Sequence, residues 1–262
     1  MKFAPILLAA VLMLGAAGSS SAASSEPYDV EGGSIRLVTN DSPDENGVLR
    51  GALEIRLQPG WKTYWRDPGD SGVPPTIDIT VSGKPATVEI GFPAPKRFDD
   101  GYSIWAGYDE PLSLALTIRM PEGSAGGAIT ADAFLGVCET ICIPVGATLT
   151  AIPGADGDRD ARIVADAFAA LPDPASDELR ARMTELEDDG MVVEVTAPEN
   201  VGVEALFVAG TETLALGVPE ERDGEASAFT VPVLRRGEAA GRLIHYTLVT
   251  SGGAVSGTWK QR

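Results

Sequence analysis

Two cysteines occur in this chain, Cys138 and Cys142, in the run Ala133-Phe-Leu-Gly-Val-Cys138-Glu-Thr-Ile-Cys142-Ile-Pro144. A thiol pair this close has three chemistries open to it: a passive staple, a reversible disulfide, or ligation of a soft metal such as Cu(I). Spacing i and i+4 puts both side chains on one side of either a helix or a strand. In a helix their Cβ atoms would lie about 5–6 Å apart, farther than the roughly 3.5–4.5 Å that a disulfide needs. Val137, Ile143 and Pro144 also disfavour a helix. The spacing therefore predicts a β-hairpin with Glu139-Thr140-Ile141 as its three-residue loop and the two cysteines facing each other on adjacent strands.

Closing so short a loop stabilises a fold by only about 2 kcal/mol on the chain-entropy estimate. A bond at a hairpin tip is also exposed and easier to reduce than one buried between sheets. The residues favour a redox-active disulfide, with a structural staple and Cu(I) ligation as alternatives. For metal there is little to complete a site in sequence: one histidine, His245, and five dispersed methionines. No metal and no cofactor is expected. Glu139 stands between the cysteines and no basic residue lies in the loop. The pair also lacks the Cys-x-x-Cys spacing at a helix N-terminus that lowers a thiol pKa. These are unactivated thiols, suited to a carrier served by a dedicated partner. No Ser/His/Asp set, phosphate loop or dinucleotide fingerprint is present.

The elements that must position this pair read as strands. Gly51–Leu57 alternates, with Leu53, Ile55 and Leu57 facing one way and Glu54 and Arg56 the other. Ser34–Thr39, Thr76–Val81, Ala86–Phe92, Leu112–Arg119, Ala128–Val137 and Ala147–Ile152 carry the same character. Between them, Trp61, Tyr64 and Trp65 lead into a turn-rich loop, and a second loop with Pro93, Pro95, Asp99 and Gly101 carries Tyr102, Trp105 and Tyr108. Short strands punctuated by Gly and Pro predict an all-β, immunoglobulin-like sandwich over residues 28–155. Residues 156–190 read as a helical linker, with helices over Ala161–Leu171 and Ser176–Asp188 and Ser176 as an N-cap. From Met191 the β pattern returns, which predicts a second, smaller β-sandwich over 191–262.

Residues 1–23 read as a secretory signal peptide: Lys2, an apolar run from Phe3 to Gly18, then Ser20-Ser21-Ala22-Ala23. The mature chain is expected in an exported, oxidising compartment, the periplasm, where disulfides persist. The formal net charge of -18 argues against nucleic acid and anionic lipid as partners.

Several motifs together resemble a known family. They are Leu57-Gln-Pro-Gly-Trp-Lys-Thr-Tyr-Trp-Arg-Asp-Pro-Gly-Asp-Ser-Gly72, Phe92-Pro93, Tyr108-Asp-Glu-Pro-Leu112 and Val137-Cys-Glu-Thr-Ile-Cys-Ile-Pro144. Over residues 30–155 they are similar to the periplasmic N-terminal domain of the DsbD family of thiol:disulfide interchange proteins, in particular its ScsB-like branch. The resemblance implies an immunoglobulin-like domain in which Cys138 and Cys142 are the redox couple. It also implies an aromatic cap loop over the disulfide, which maps onto Asp100-Gly101-Tyr102 and makes Tyr102 the candidate cap. Electrons would come from a thioredoxin-like domain recharged through a membrane electron transporter and would pass to disulfide-isomerase-like clients. No such segments follow the second sandwich in this sequence, so these partners are expected as separate proteins. The other expectation is a non-enzymatic binding module, for copper or an assembly partner, with a structural disulfide.

Overall fold

The computed structural model describes residues 22–261 apart from 70, 71, 100, 125, 126, 154–156, 187–189, 223–227 and 238–240. Most of the 1–23 targeting segment, the first residue of the linker, 156, and cap-loop residue Asp100 thus lie outside the described residues.

Twelve strands come first: β1 (Ala22–Ser24), β2 (Tyr28–Val30), β3 (Gly33–Asn40), β4 (Val48–Leu57), β5 (Lys62–Tyr64), β6 (Thr76–Val81), β7 (Lys84–Gly91), β8 (Lys96–Asp99), β9 (Ile104–Tyr108), β10 (Leu112–Arg119), β11 (Ile129–Cys138) and β12 (Cys142–Pro153). Their pairings run β12-β1-β3-β4-β10-β7-β6-β11 and close through β11–β12. Two strands change layers to close the ring. The start of β7 pairs with β6 and its end with β10; β12 follows β11 to Ala151 and then meets β1. Strand alternation fills the space between the layers: Leu53, Ile55, Leu114, Leu116, Ile118, Ala131 and Leu135 are all buried. The fold is an all-β, immunoglobulin-like sandwich, as the alternation predicts.

The opposite face of β3, β4 and β10 presents the small apolar residues Val38, Ala52 and Ala115. The helix α1 (Gly157–Ala169) covers them with Val164 and Ala167. Its first turn carries Asp160, fully buried and ion-paired with Arg36 at 2.9 Å. A carboxylate there also suits the helix N-terminus. So α1 packs on the N-terminal sandwich. β1 overlaps the end of the span read as targeting: its backbone pairs with β3 and β12, and Ala23 is buried.

The second predicted helix is corrected. The described part of the span read as Ser176–Asp188, residues 176–186, is not helical; Arg180–Leu186 forms a strand, β14, after the two-residue β13 (Asp173–Pro174). Ala181 is buried and Met183 half-buried while Arg182 and Thr184 are exposed, a two-residue period that runs up to the register shift between Met183 and Glu185. Ser176 does cap local amides, since its Oγ accepts from the N–H groups of Glu178 and Leu179. That satisfies a turn entering a strand as readily as a helix start.

The remaining strands are β15 (Gly190–Thr196), β16 (Val203–Ala209), β17 (Leu214–Leu216), β18 (Glu220–Glu221), β19 (Ala228–Arg236), β20 (Leu243–Thr250) and β21 (Gly253–Lys260). They form two sheets, β13-β21-β20-β16 and β14-β15-β19-β17 with β18. Met191, Val193, Leu206, Val231, Ile244 and Leu248 are buried between them. Phe207 and Ala209 leave this core and join that of the N-terminal sandwich.

Candidate functional site

Cys138 ends β11 and Cys142 begins β12; they are cross-strand partners with Cα atoms 4.1 Å apart and are joined as a disulfide. The hairpin reading, with Glu139-Thr140-Ile141 as the loop, holds. The register that makes them partners extends unbroken from Ile129↔Ala151 to the cysteines. The long ladder therefore decides that the thiols meet, and the bond itself adds little to it.

The two sulfurs differ in setting. Cys138 is buried, at 6% exposure, in a cluster with Tyr64 and Trp105. Cys142 is exposed, next to Ile141 at 70%. The Tyr64 hydroxyl lies 2.7 Å from Cys142 Sγ and 3.2 Å from Cys138 Sγ. Sulfurs in a disulfide carry no hydrogen, so the phenol donates and the sulfurs accept.

Three short elements build the wall behind Cys138. β5 lies beside the end of β11, pairing Thr63 with Val137 and Lys62 with Cys138, and Thr63 Oγ1 donates to Gly136 O at 2.8 Å. β9 pairs with β5, and β8 with β9. Trp105 meets Tyr64 edge to face at 5.2 Å and stacks on its cross-strand partner Phe98 at 4.4 Å. Two glycines permit this closeness. A Cβ on Gly136 would stand 2.9 Å from the Tyr64 ring, and one on Gly107 would collide with the Thr63 carbonyl.

The structure corrects two expectations here. The loop read over residues 93–108 contains the β8–β9 hairpin, because Phe98 and Trp105 bury themselves against the cysteine cluster. Tyr102, near the tip of that hairpin, is 99% exposed. The aromatic side chains clustered with Cys138 are Tyr64 and Trp105, with Phe98 packed behind them. All three stand in the aromatic-rich segments of the sequence, but nothing in spacing marks them as neighbours of residues 138 and 142. The absence of a basic residue from the loop also gives an incomplete picture. Lys62 lies across the strand from Cys138, with Nζ 5.6 Å from the Phe98 ring centroid.

Deeper in the same sheet, Tyr108 donates its hydroxyl to Pro93 O at 2.8 Å, and burial pushes the phenol well above its ordinary pKa. It stays neutral and structural. Among the described residues no group of three or more His, Cys, Asp or Glu is placed to hold a metal ion. Nor is any helix long and apolar enough to cross a membrane.

Comparison with known proteins agrees with this geometry. No curated protein matches the sequence. The crystal structure of the N-terminal periplasmic domain of ScsB from Proteus mirabilis superposes with a TM-score of 0.71 at 21% identity, over 92% of this chain and 98% of that one. At that identity the likeness is one of fold. The titin Ig tandem domains A164-A165 align at 12% identity, over 92% of this chain and 96% of that one, with a TM-score of 0.19, too low to carry an argument. Residues 38–153 match the family model for thiol:disulfide interchange protein DsbD, N-terminal. That span holds the cysteine hairpin, the Tyr64 strand and the β8–β9 hairpin, so the part of the chain that builds the site is DsbD N-terminal-like.

Proposed function

We propose that this protein is a periplasmic thiol–disulfide carrier, taking electrons from a thioredoxin-like dithiol and passing them to client disulfides through Cys138 and Cys142. The observation that carries the reading is the asymmetry of the bond: one sulfur exposed at a hairpin tip, the other buried behind Tyr64 and Trp105. A staple gains nothing from that arrangement, whereas exchange needs one sulfur open to in-line attack.

In the reducing half-reaction a partner thiolate attacks Cys142 Sγ. The Cys138–Cys142 bond breaks and its electron pair leaves on Cys138 Sγ as a thiolate within reach of the Tyr64 hydroxyl. The partner's second thiolate then attacks the partner's own sulfur in the mixed disulfide and releases Cys142 as a thiolate. In the oxidising half-reaction Cys142 attacks a client disulfide, and Cys138 attacks Cys142 Sγ to release the client dithiol and restore the bond. The match of residues 38–153 to the DsbD N-terminal family model supports a thioredoxin-like donor, recharged through a membrane electron transporter, and disulfide-isomerase-like clients.

The apolar N-terminal run and the likeness to DsbD N-terminal domains support export to the periplasm. Pairing of Ala22–Ser24 with two strands favours processing ahead of Ala22 over processing after Ala23.

The test is to trap the intermediate. Cys138→Ser, activated at Cys142 as the mixed disulfide with thionitrobenzoate, should be captured by a thioredoxin-like protein that keeps only its attacking cysteine, whose thiolate displaces thionitrobenzoate; Cys142→Ser treated in the same way should not. Adduct from the Cys142→Ser protein alone would reverse the assignment. No adduct from either, with a reduction potential below about -300 mV, would mark a structural bond; a value in the range of about -180 to -230 mV supports the carrier.

A further inference from the structure

The wall behind the disulfide is held from its far side by the C-terminal sheets. In the segment after β5, the Trp65 ring meets Phe207 edge to face at 5.9 Å, and Asp67 Oδ2 accepts the Gly210 amide at 2.8 Å. The β8–β9 hairpin is held through Arg97. Its Nη2 donates to Leu206 O at 2.8 Å, and its guanidinium lies over the Phe207 ring at 4.9 Å. Alternation along β8 sends neighbouring side chains to opposite faces. Phe98 therefore packs toward the cysteine cluster while Arg97 reaches the C-terminal sheets. Trp105 belongs to both sides: it touches the Cys138 cluster and also lines the cleft shared by Trp65, Pro68, Phe207 and Leu216.

Arg97 is half-buried, and that burial lowers its pKa. Its hydrogen bond and its ring contact both belong to the C-terminal unit, so the charge is best accommodated only when the two units are docked. Phe207, 4% exposed, is part of the N-terminal core although its strand is not.

We propose that the C-terminal unit is a positioning device for the redox site, with Arg97 and Phe207 as positioning residues that keep the β8–β9 hairpin, and with it Phe98 and Trp105, closed on the disulfide. This rests on the reading of the disulfide as redox-active. It gives the cysteine-free second unit a role in exchange: closed, the hairpin screens the buried sulfur and leaves Cys142 as the point of attack.

The experiment measures reduction of the full chain by dithiothreitol in Arg97→Ala, Arg97→Lys and Phe207→Leu. If the hairpin loosens, Arg97→Ala should be reduced about tenfold faster than wild type, a local opening easier by one factor of ten. Arg97→Lys and Phe207→Leu should fall between. The sign is diagnostic, because losing a positive charge would by itself slow an anionic thiolate. The change in tryptophan emission on reduction should shrink in the same variants, and Trp105→Phe identifies the reporting ring. Should Arg97→Ala lose the wild-type far-ultraviolet spectrum, the two conservative variants carry the comparison. Rates equal to wild type within twofold, or slower, in the folded variants would overturn the positioning role and leave the carrier reading intact. Failure to trap a mixed disulfide would sink the carrier reading while the rate comparison still stands.

Discussion

The Tyr64 hydroxyl reaches both sulfurs of the cysteine pair, at 2.7 and 3.2 Å. Once the bond opens, a phenol in that place donates to whichever sulfur holds the negative charge, a charge-assisted hydrogen bond of about 1.5–3 kcal/mol. Tyr64→Phe keeps the ring against Trp105 and removes only this donor. The thiolate population then falls, while each remaining thiolate is more nucleophilic with a Brønsted slope of about 0.4–0.5. The two effects partly cancel, and the reduced variant should attack a disulfide substrate about threefold more slowly at neutral pH. Stopped-flow exchange with a chromogenic disulfide checks it; an unchanged rate would mean that the contact matters only to the oxidised state. This residue was legible as an aromatic in Trp61-Lys-Thr-Tyr64-Trp65, but its role was not. Seventy-four residues separate it from Cys138, and only the β5–β11 pairing brings them together.

At the scale of elements, the site is a stack of short strands that needs bare backbone at two points. Gly136 precedes Cys138 by two residues and faces Tyr64, where an added Cβ would lie 2.9 Å from one ring carbon and 3.2 Å from Val73 Cβ. Neither neighbour is the free end of a flexible chain. Gly136→Ala should destabilise by about 1–3 kcal/mol through overpacking and should accelerate reduction by dithiothreitol as the Tyr64 ring moves off the sulfurs. Thermal unfolding and the reduction rate together test this. Destabilisation with an unchanged rate would show that the ring yields without uncovering the bond. The long, alternating strands β4, β6, β10 and β11 stand at or near the boundaries their sequence pattern implies. The short ones, β5, β8 and β9, do not carry enough residues to show a period, so Lys62–Tyr64 and Lys96–Tyr108 read as loop. The false helix over Ser176–Asp188 has the complementary cause. A capping serine followed by good helix formers is a real local signal, overridden when Ala181 and Met183 can be buried against β15.

For the whole molecule, the two units meet along a second cleft, where His245 and Arg66 face each other's surroundings with Glu89, Thr247, Ser256 and Thr258. Burial, then the Arg66 charge, lowers the His245 pKa below its ordinary 6.5, while Glu89 acts weakly the other way. A depressed folded-state pKa means that the unfolded chain takes up a proton that the folded one refuses. The associated stability is full above about pH 6.5 and is lost as pH falls below it. The melting temperature of the wild type should therefore drop between pH 7 and pH 5.5 by more than that of His245→Gln. Parallel profiles would show that the histidine is indifferent to docking of the units. No residue near His245 in sequence announces this contact, because Arg66 and Glu89 come from the other unit.

The sequence by itself determined the chemistry available and most of the scaffold. Two cysteines four positions apart beside Pro144 can close only a tight hairpin, and strict alternation in Leu53, Ile55 and Leu57 or Leu114, Leu116 and Ile118 permits only half-buried strands. These are local constraints of covalent reach and side-chain period, which act within a few residues. Tertiary structure decided which sulfur is exposed, that Tyr64 and Trp105, backed by Phe98, and not Tyr102 pack with Cys138, that Lys62 stands across from Cys138, and that Arg97 ties the site to the second unit. Each of these depends on pairings between strands tens of residues apart, whose partners are chosen by the packing of the entire core and by no one segment's own pattern.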